Sequence, residues 1–307
     1  MTAEPQLTVI LGRCDDMRAE VYLRVTGLPA AAEIAGTLTG PQSRFAITLP
    51  SDARFSDLGP TTDGTSVVAR AILTEPSYWT PDLPSLYRVH AVVSSAGRTI
   101  LSCDRRVGLR RLGVRGRSFW LEGRRWVPRG VPCDPAAFDP GPLRESLAAA
   151  VIDAPADDVC EAADDWGVGI VARCRLDPLA ACRRWAAHPS VMLSVLPRHL
   201  TADQVAAIGA VIRSEKGTML VGLEVDATEP PPPLPEGVGF LVVALPAQGL
   251  PHDAWRETPP ELPLVAMRPA GGRAGDQRRA CDILQADLAA WRGDAAVAWD
   301  WAGYLVS

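Results

Sequence analysis

Glu224 and Asp226 close the apolar run TMLVGLEVD (218–226), two residues apart, so on a strand both carboxylates face one way. Such a pair can share acid and base work on a substrate, or it can neutralise nearby arginines, and the spacing serves both. Asp300 stands between Trp299 and Trp301. It can accept from a sugar hydroxyl beside two aromatic faces, or form a salt bridge, because on a strand it turns away from both rings. Asp153 ends the run AAVID and reads as a helix N-cap. Arg173, Arg198 and Arg268 end or follow three further apolar runs. Together they suit an anion such as a uronate, sulfate or phosphate, for which the guanidinium offers two parallel donors. Equally, they can pair with Glu224, Asp226 or Asp300. His199 is either a proton donor or a loop residue opening a helix. Cys174 and Cys182 near His188 are the nearest approach to metal-ligand spacing, but structural zinc sites space their ligands more closely, so no metal or other cofactor is expected.

The elements that would position these groups fall into two patterns. Between residues 6 and 111 the chain reads as β throughout: TVILGRC, AEVYLRVTGL, AAEIAGTLTG, SRFAITLP, TSVVARAIL, YRVHAVVSS and RTILSCDRRVG. Seven short runs at about ten-residue spacing predict an antiparallel β-sandwich, with residues 52–64 as a polar crossover loop. From residue 119 apolar runs alternate with Ala-rich helical stretches, the pattern of a parallel sheet covered by helices. Eight strands are expected at 125–131, 149–155, 167–174, 190–197, 218–226, 239–246, 262–269 and 294–301. Helices fit at 142–148, 156–166, 177–187, 201–215, 251–257 and 274–292, and PPPPLPEG (230–237) serves as a rigid loop where another would fall. The expected fold is thus multidomain, β plus α/β: a sandwich over 1–115 and a small (β/α)8 TIM-type barrel over 116–307.

Composition narrows the function classes. The 307 residues carry a net charge of −5, which argues against a nucleic-acid surface. Only one basic residue, Lys216, is not Arg, so an arginine is in itself no functional signal here. The N-terminal MTAEPQLTVILGRCDD lacks a basic region followed by an apolar run and cleavage site, and no stretch approaches 18 consecutive apolar residues. Seven cysteines without paired spacing read as reduced thiols. A cytoplasmic protein with no membrane partner is the expectation.

The segment 77–131 adds a family. Trp79, Pro81, Pro84, Leu86 and Tyr87, then Gly108 and Arg110, Phe119, Leu121 and Gly123, and finally Arg129, Gly130 and Val131 resemble the signature of glycoside hydrolase family 2, where a sandwich gives way to a catalytic barrel. His188-Pro189-Ser190-Val191, the phrase from Cys160 to Val171 and the Trp299-Asp300-Trp301 segment resemble further landmarks of that family. The resemblance implies a β-galactosidase- or β-glucuronidase-like architecture, with an immunoglobulin-like β-sandwich before the (β/α)8 barrel, and a tryptophan of the Trp299-Asp300-Trp301 segment lining a sugar subsite. Full-length members carry an amino-terminal jelly roll before their sandwich; residues 6–111 are too few to hold both, so the expectation is that this domain is absent. Retaining glycosidases need two carboxyl groups about 5 Å apart. The resemblance places the acid/base after the fourth barrel strand and the nucleophile at the end of the seventh. His199 and Arg268 stand there, so no residue is expected to be catalytic in the usual way.

Two classes of function follow. One is a pseudoenzyme of the family, retained for carbohydrate binding or as an interaction scaffold, with Arg173, Arg198, Arg268, Trp299 and Trp301 as ligand-binding residues. It would take a carbohydrate or anionic sugar, or a protein partner through the barrel mouth. The other is an active β-glycosidase with relocated carboxylates among Glu224, Asp226 and Asp300.

Overall fold

The structure is a computed structural model that describes residues 5–27, 32–62, 64–214, 219–269, 274–293 and 299–307. It divides into two compact units, the first reaching Arg110 and the second starting at Arg111.

The first unit contains β1 (Gln6–Cys14), β2 (Arg18–Thr26), β3 (Ala32–Gln42), β4 (Ser51–Pro60), β5 (Ser66–Thr74), β6 (Leu86–Ser95) and β7 (Arg98–Val107). Their order is β1-β2-β5-β4-β3-β6-β7, all neighbours antiparallel. This is the order of the two immunoglobulin sheets, made continuous where β4 pairs with β3. Alternation drives it. Ala19, Val21, Leu23 and Val25 on β2 and Tyr87, Val89, Ala91 and Val93 on β6 all turn into one core without exposure. The segment from Ser77 ties the unit together. The Ser77 amide donates to the Tyr87 hydroxyl (2.8 Å), and the amide of fully buried Trp79 donates to the Leu109 carbonyl (2.6 Å).

One strand lies elsewhere than its composition predicts. SRFAITLP (43–50) is irregular, with Ile47 and Leu49 exposed by 103% and 91%, while the expected crossover loop at 52–64 contains β4. Only Phe55 of β4 is buried, so the strand shows no apolar pattern, and its pairing with β3 and β5 alone defines it.

The second unit opens with a three-stranded sheet, β8 (Leu112–Arg115), β9 (Ser118–Leu121) and β10 (Arg124–Trp126). Glu122 and Gly123 take φ of 49° and 73° in the two-residue turn between β9 and β10, as a tight hairpin demands. Then β11 (Arg129–Pro132), β12 (Ala149–Asp153), β13 (Ile170–Arg173), β14 (Val191–Leu196), β15 (Leu220–Asp226), β16 (Phe240–Ala244), β17 (Leu264–Arg268) and β18 (Gly303–Val306) close an all-parallel barrel. Around it run α1 (Pro140–Glu145), α2 (Asp157–Trp166), α3 (Pro178–Trp185), α4 (Ala202–Ser214), α5 (Ala254–Glu257) and α6 (Ala274–Arg292). Thr201 and Gln204 exchange hydrogen bonds at the start of α4, a capping box. The expected last strand needs correcting. Residues 294–298 lie outside the described residues, and the strand that seals β17 to β11 is Gly303–Val306. The register of Val265 with Gly303 and Arg268 with Val306 settles the shift.

Below the α2–β13 connection the His188-Pro189-Ser190 phrase is locked by one carboxylate. Asp164, on α2, accepts from the Ser190 amide (2.8 Å) and meets His188 Nδ1 at 2.9 Å. Burial disfavours the charged ring, but Asp164, with Asp157 and Glu161 behind it, outweighs burial and raises the His188 pKa. A raised folded pKa means this contribution is full below the unfolded value, about 6.5, and is lost as pH climbs through the folded one. The stability gap between the native protein and His188→Gln is therefore expected to be wider at pH 6 than at pH 8.5. Urea melts at the two pH values check it, and an unchanged gap would contradict the sign.

Candidate functional site

In a parallel barrel all carboxyl ends of the strands open on one face, and that face gathers most of the groups singled out above. Leu223 and Val225 of β15 pack into the core shared with the helices, so alternation turns Glu224 and Asp226 the other way. Arg173 closes β13, two strands away, and reaches across. Its guanidinium lies 3.1 Å from Glu224 Oε2 and 3.6 Å from Asp153 Oδ1. Asp153 also pairs with Arg175, so it is not the N-cap of α2, where Ala156 stands without a side-chain cap. Arg198 lies 3.1 Å from Asp226. The Thr228 hydroxyl and amide, and more weakly the Arg198 charge, hold Asp226 below the usual carboxylate range against the effect of burial. Asp226 is thereby fixed as an anion at neutral pH.

Between these side chains lies a cleft of about 260 Å³, lined by Arg173, Cys174, Arg175, Arg198, His199 and Glu224, with Val195 and Pro197. Sequence reasoning missed Arg175 and Cys174 there. Both flank Arg173 in the chain, and the β13 end, which turns three consecutive residues toward one space, carries no sequence signal. The cleft falls near the lower edge of the roughly 300–1,000 Å³ of small-ligand pockets, the size class of a single ring rather than a chain. Its lining contains no Trp, Tyr or Phe.

The remaining candidates stand apart from it. Arg268 ends β17 in phase with Leu264 and Ala266, which face the helices, and it donates to Asp287 of α6 (2.6 Å) and to the Gly249 carbonyl (3.1 Å). It does not line the cleft. Trp299, Asp300 and Trp301 precede β18 and so belong to the amino-terminal end of the barrel, opposite the cleft. There the two indoles stack at 5.3 Å, both buried, and Asp300 pairs with Arg125 at 3.3 Å. The expectation that either tryptophan faces a sugar pocket rested on a strand at 294–301, and it moves with that strand. Asp300 likewise has no share in a carboxylate pair with Glu224 or Asp226.

Residues 9–110 match the family model of the glycosyl hydrolases of family 2. The chain is similar to family 2. Among solved structures, a β-glucuronidase from Ruminococcus gnavus in complex with D-glucuronic acid superposes with a TM-score of 0.68 at 12% identity, over 99% of this chain and 61% of that one. A glycosyl hydrolase family 2 member from Bacteroides cellulosilyticus gives 0.66 at 13% identity, over 98% and 43%. A β-glucuronidase from Bacteroides uniformis, covalently bound to cyclophellitol-6-carboxylate aziridine, gives 0.62 at 15%, over 98% and 45%. The chain thus spans between about two fifths and three fifths of these relatives. No curated protein matches it. At such identities the likeness to the solved structures is one of fold: a family 2-type sandwich followed by a closed parallel barrel.

In the family 2 frame, the place after the fourth strand, Pro197-Arg198-His199, is on the cleft, whereas the place at the seventh strand's end, Arg268, is docked against a helix. The charged groups at this mouth are matched in pairs, three arginines (Arg173, Arg175 and Arg198) against three carboxylates (Asp153, Glu224 and Asp226). Such a surface presents fixed donors and acceptors with little net charge. None of the described helices is long and apolar enough to cross a membrane.

Proposed function

We propose that this family 2-like chain is a non-hydrolytic sugar-binding protein whose ligand site is the cleft between the ends of β13, β14 and β15. The observation that carries the reading is the Asp153–Arg173–Glu224 bridge. Glu224, the one carboxylate lining the cleft, is engaged by the Arg173 guanidinium, 20% exposed, and Asp153 bridges Arg173 and Arg175 beside it. While Glu224 holds Arg173, the guanidinium occupies the position from which a substrate oxygen would have to approach that carboxylate. Alternating donors and acceptors of fixed position suit the hydroxyls of one sugar ring. An interaction scaffold at the barrel mouth is the fallback if no sugar binds.

No turnover of nitrophenyl β-glycosides above background is expected, together with binding of one or more sugars on a glycan array. Arg198→Ala, at an exposed position (63% of the side chain), should weaken that binding at least tenfold without loss of fold. Turnover that vanishes in Glu224→Gln would overturn the reading in favour of a hydrolase with displaced carboxylates. An array without a single binder would leave the scaffold.

A further inference from the structure

A second chemistry is built into the wall of the cleft. Cys174 follows the last residue of β13 and lines the cleft, while Cys182 lies on α3 behind it, 3% and 0% exposed. Both sulfurs converge on one hydroxyl. Cys174 Sγ is 3.4 Å and Cys182 Sγ 3.2 Å from Ser194 Oγ on β14. The backbone holds them there: the Cys174 amide donates to the Val195 carbonyl (2.9 Å), and α3 is fixed by fully buried Trp185. The other two buried cysteines, Cys160 and Cys281, have no such neighbour thiol and are held protonated by burial, at about 12 and about 11.

We propose that Cys174 and Cys182 form a reversible dithiol–disulfide site that a small disulfide oxidises through the cleft. Only Cys174 reaches the cleft, so it makes the first attack. Its sulfur bonds to one sulfur of the reagent, the reagent's S–S bond breaks, and the departing thiolate takes the Cys174 proton. Cys182 then attacks the Cys174 sulfur of the mixed disulfide, expels the second small thiol and passes it the remaining proton. Two protein thiols are oxidised and one small disulfide is reduced to two thiols. Ser194 Oγ, within hydrogen-bond distance of both sulfurs, can donate to whichever of them carries the negative charge as the bonds exchange. The new bond closes a loop of only seven intervening residues, with Arg175 inside it, so it fixes one wall of the cleft to α3.

The site does not depend on what the cleft binds. The test incubates the native protein with bis(2-hydroxyethyl) disulfide, quenches with acid, alkylates free thiols and maps them by mass spectrometry. A protease other than trypsin is needed, since Arg173 and Arg175 flank Cys174. The expected product is a Cys174–Cys182 crosslink in most molecules, reversed by dithiothreitol. In Cys182→Ser, Cys174 should be trapped as the hydroxyethyl mixed disulfide, and in Cys174→Ser, Cys182 should stay unmodified. A native protein in which the Cys174 mixed disulfide accumulates uncrosslinked would show that the sulfurs cannot meet. One in which both stay free, while the urea-unfolded chain reacts, would show that the cleft gives no access. Either result overturns the proposal.

Discussion

Asp164→Ala is expected to cost the second unit about 3–5 kcal/mol, the range for removing one partner of a buried charged pair. The side chain of Asp164 is 9% exposed and that of His188 12%. The substitution strands the Ser190 amide and the imidazole together, because both end on this carboxylate. Asp164→Asn should cost less, since an amide oxygen still accepts from Ser190. The Asp164–His188 double-mutant cycle should show coupling well above 0.5 kcal/mol. All described helices belong to the second unit, so helical circular dichroism in a urea melt reports on it selectively. A cost below about 1 kcal/mol would mean that the phrase is held by packing alone.

Trp185→Ala should be as damaging, about 3–5 kcal/mol. The ring is fully buried in the core between barrel and helices, and its Nε1 donates to the Pro155 carbonyl at 3.0 Å, fixing the β12–α2 connection beside Asp153. Alanine leaves a cavity and removes one of the two donors to that carbonyl, the Arg184 guanidinium at 2.8 Å remaining. Phenylalanine should recover most of the packing but not the hydrogen bond, so Trp185→Phe should fall between the two. The same melt measures all three. A Trp185→Ala loss under 1.5 kcal/mol would mean that α3 collapses into the gap.

The fold was legible where side-chain burial and backbone period agree. The barrel strands are buried on both faces and read as apolar runs, and α6 falls on its predicted residues, 274–292. Where pairing alone makes a strand, composition misleads. β4 is polar because it is exposed, whereas Phe45, Ile47 and Leu49 look like a strand and form none. At the site, the types of residue were legible and their directions were not. Arg173 and Glu224 point into the mouth and Arg268 out of it, although all three end similar runs. A one-residue difference in phase decides this, and an ungapped reading cannot see it. Asp287 could have been found: on α6 it lies three residues from Leu284 and beside Leu288, at the edge of the buried stripe. The convergence of Cys174 and Cys182 on Ser194 needs the third strand, the fourth strand and a helix in place, which no local window holds.

The direction of Arg268 also bears on what a substitution there can do. Because its side chain is stitched to α6, a glutamate placed at 268 would meet the carboxylate of Asp287 and not the barrel axis. Met267, the next residue, is the one whose phase looks inward. A carboxylate on the barrel axis is therefore not one substitution at 268 away. It would require β17 to slip by one residue against β16 and β18, and every pairing from Val265 to Arg268 stands in the way. The seventh strand works as a ratchet: its register, and not the residue type at 268, decides which side chains reach the axis.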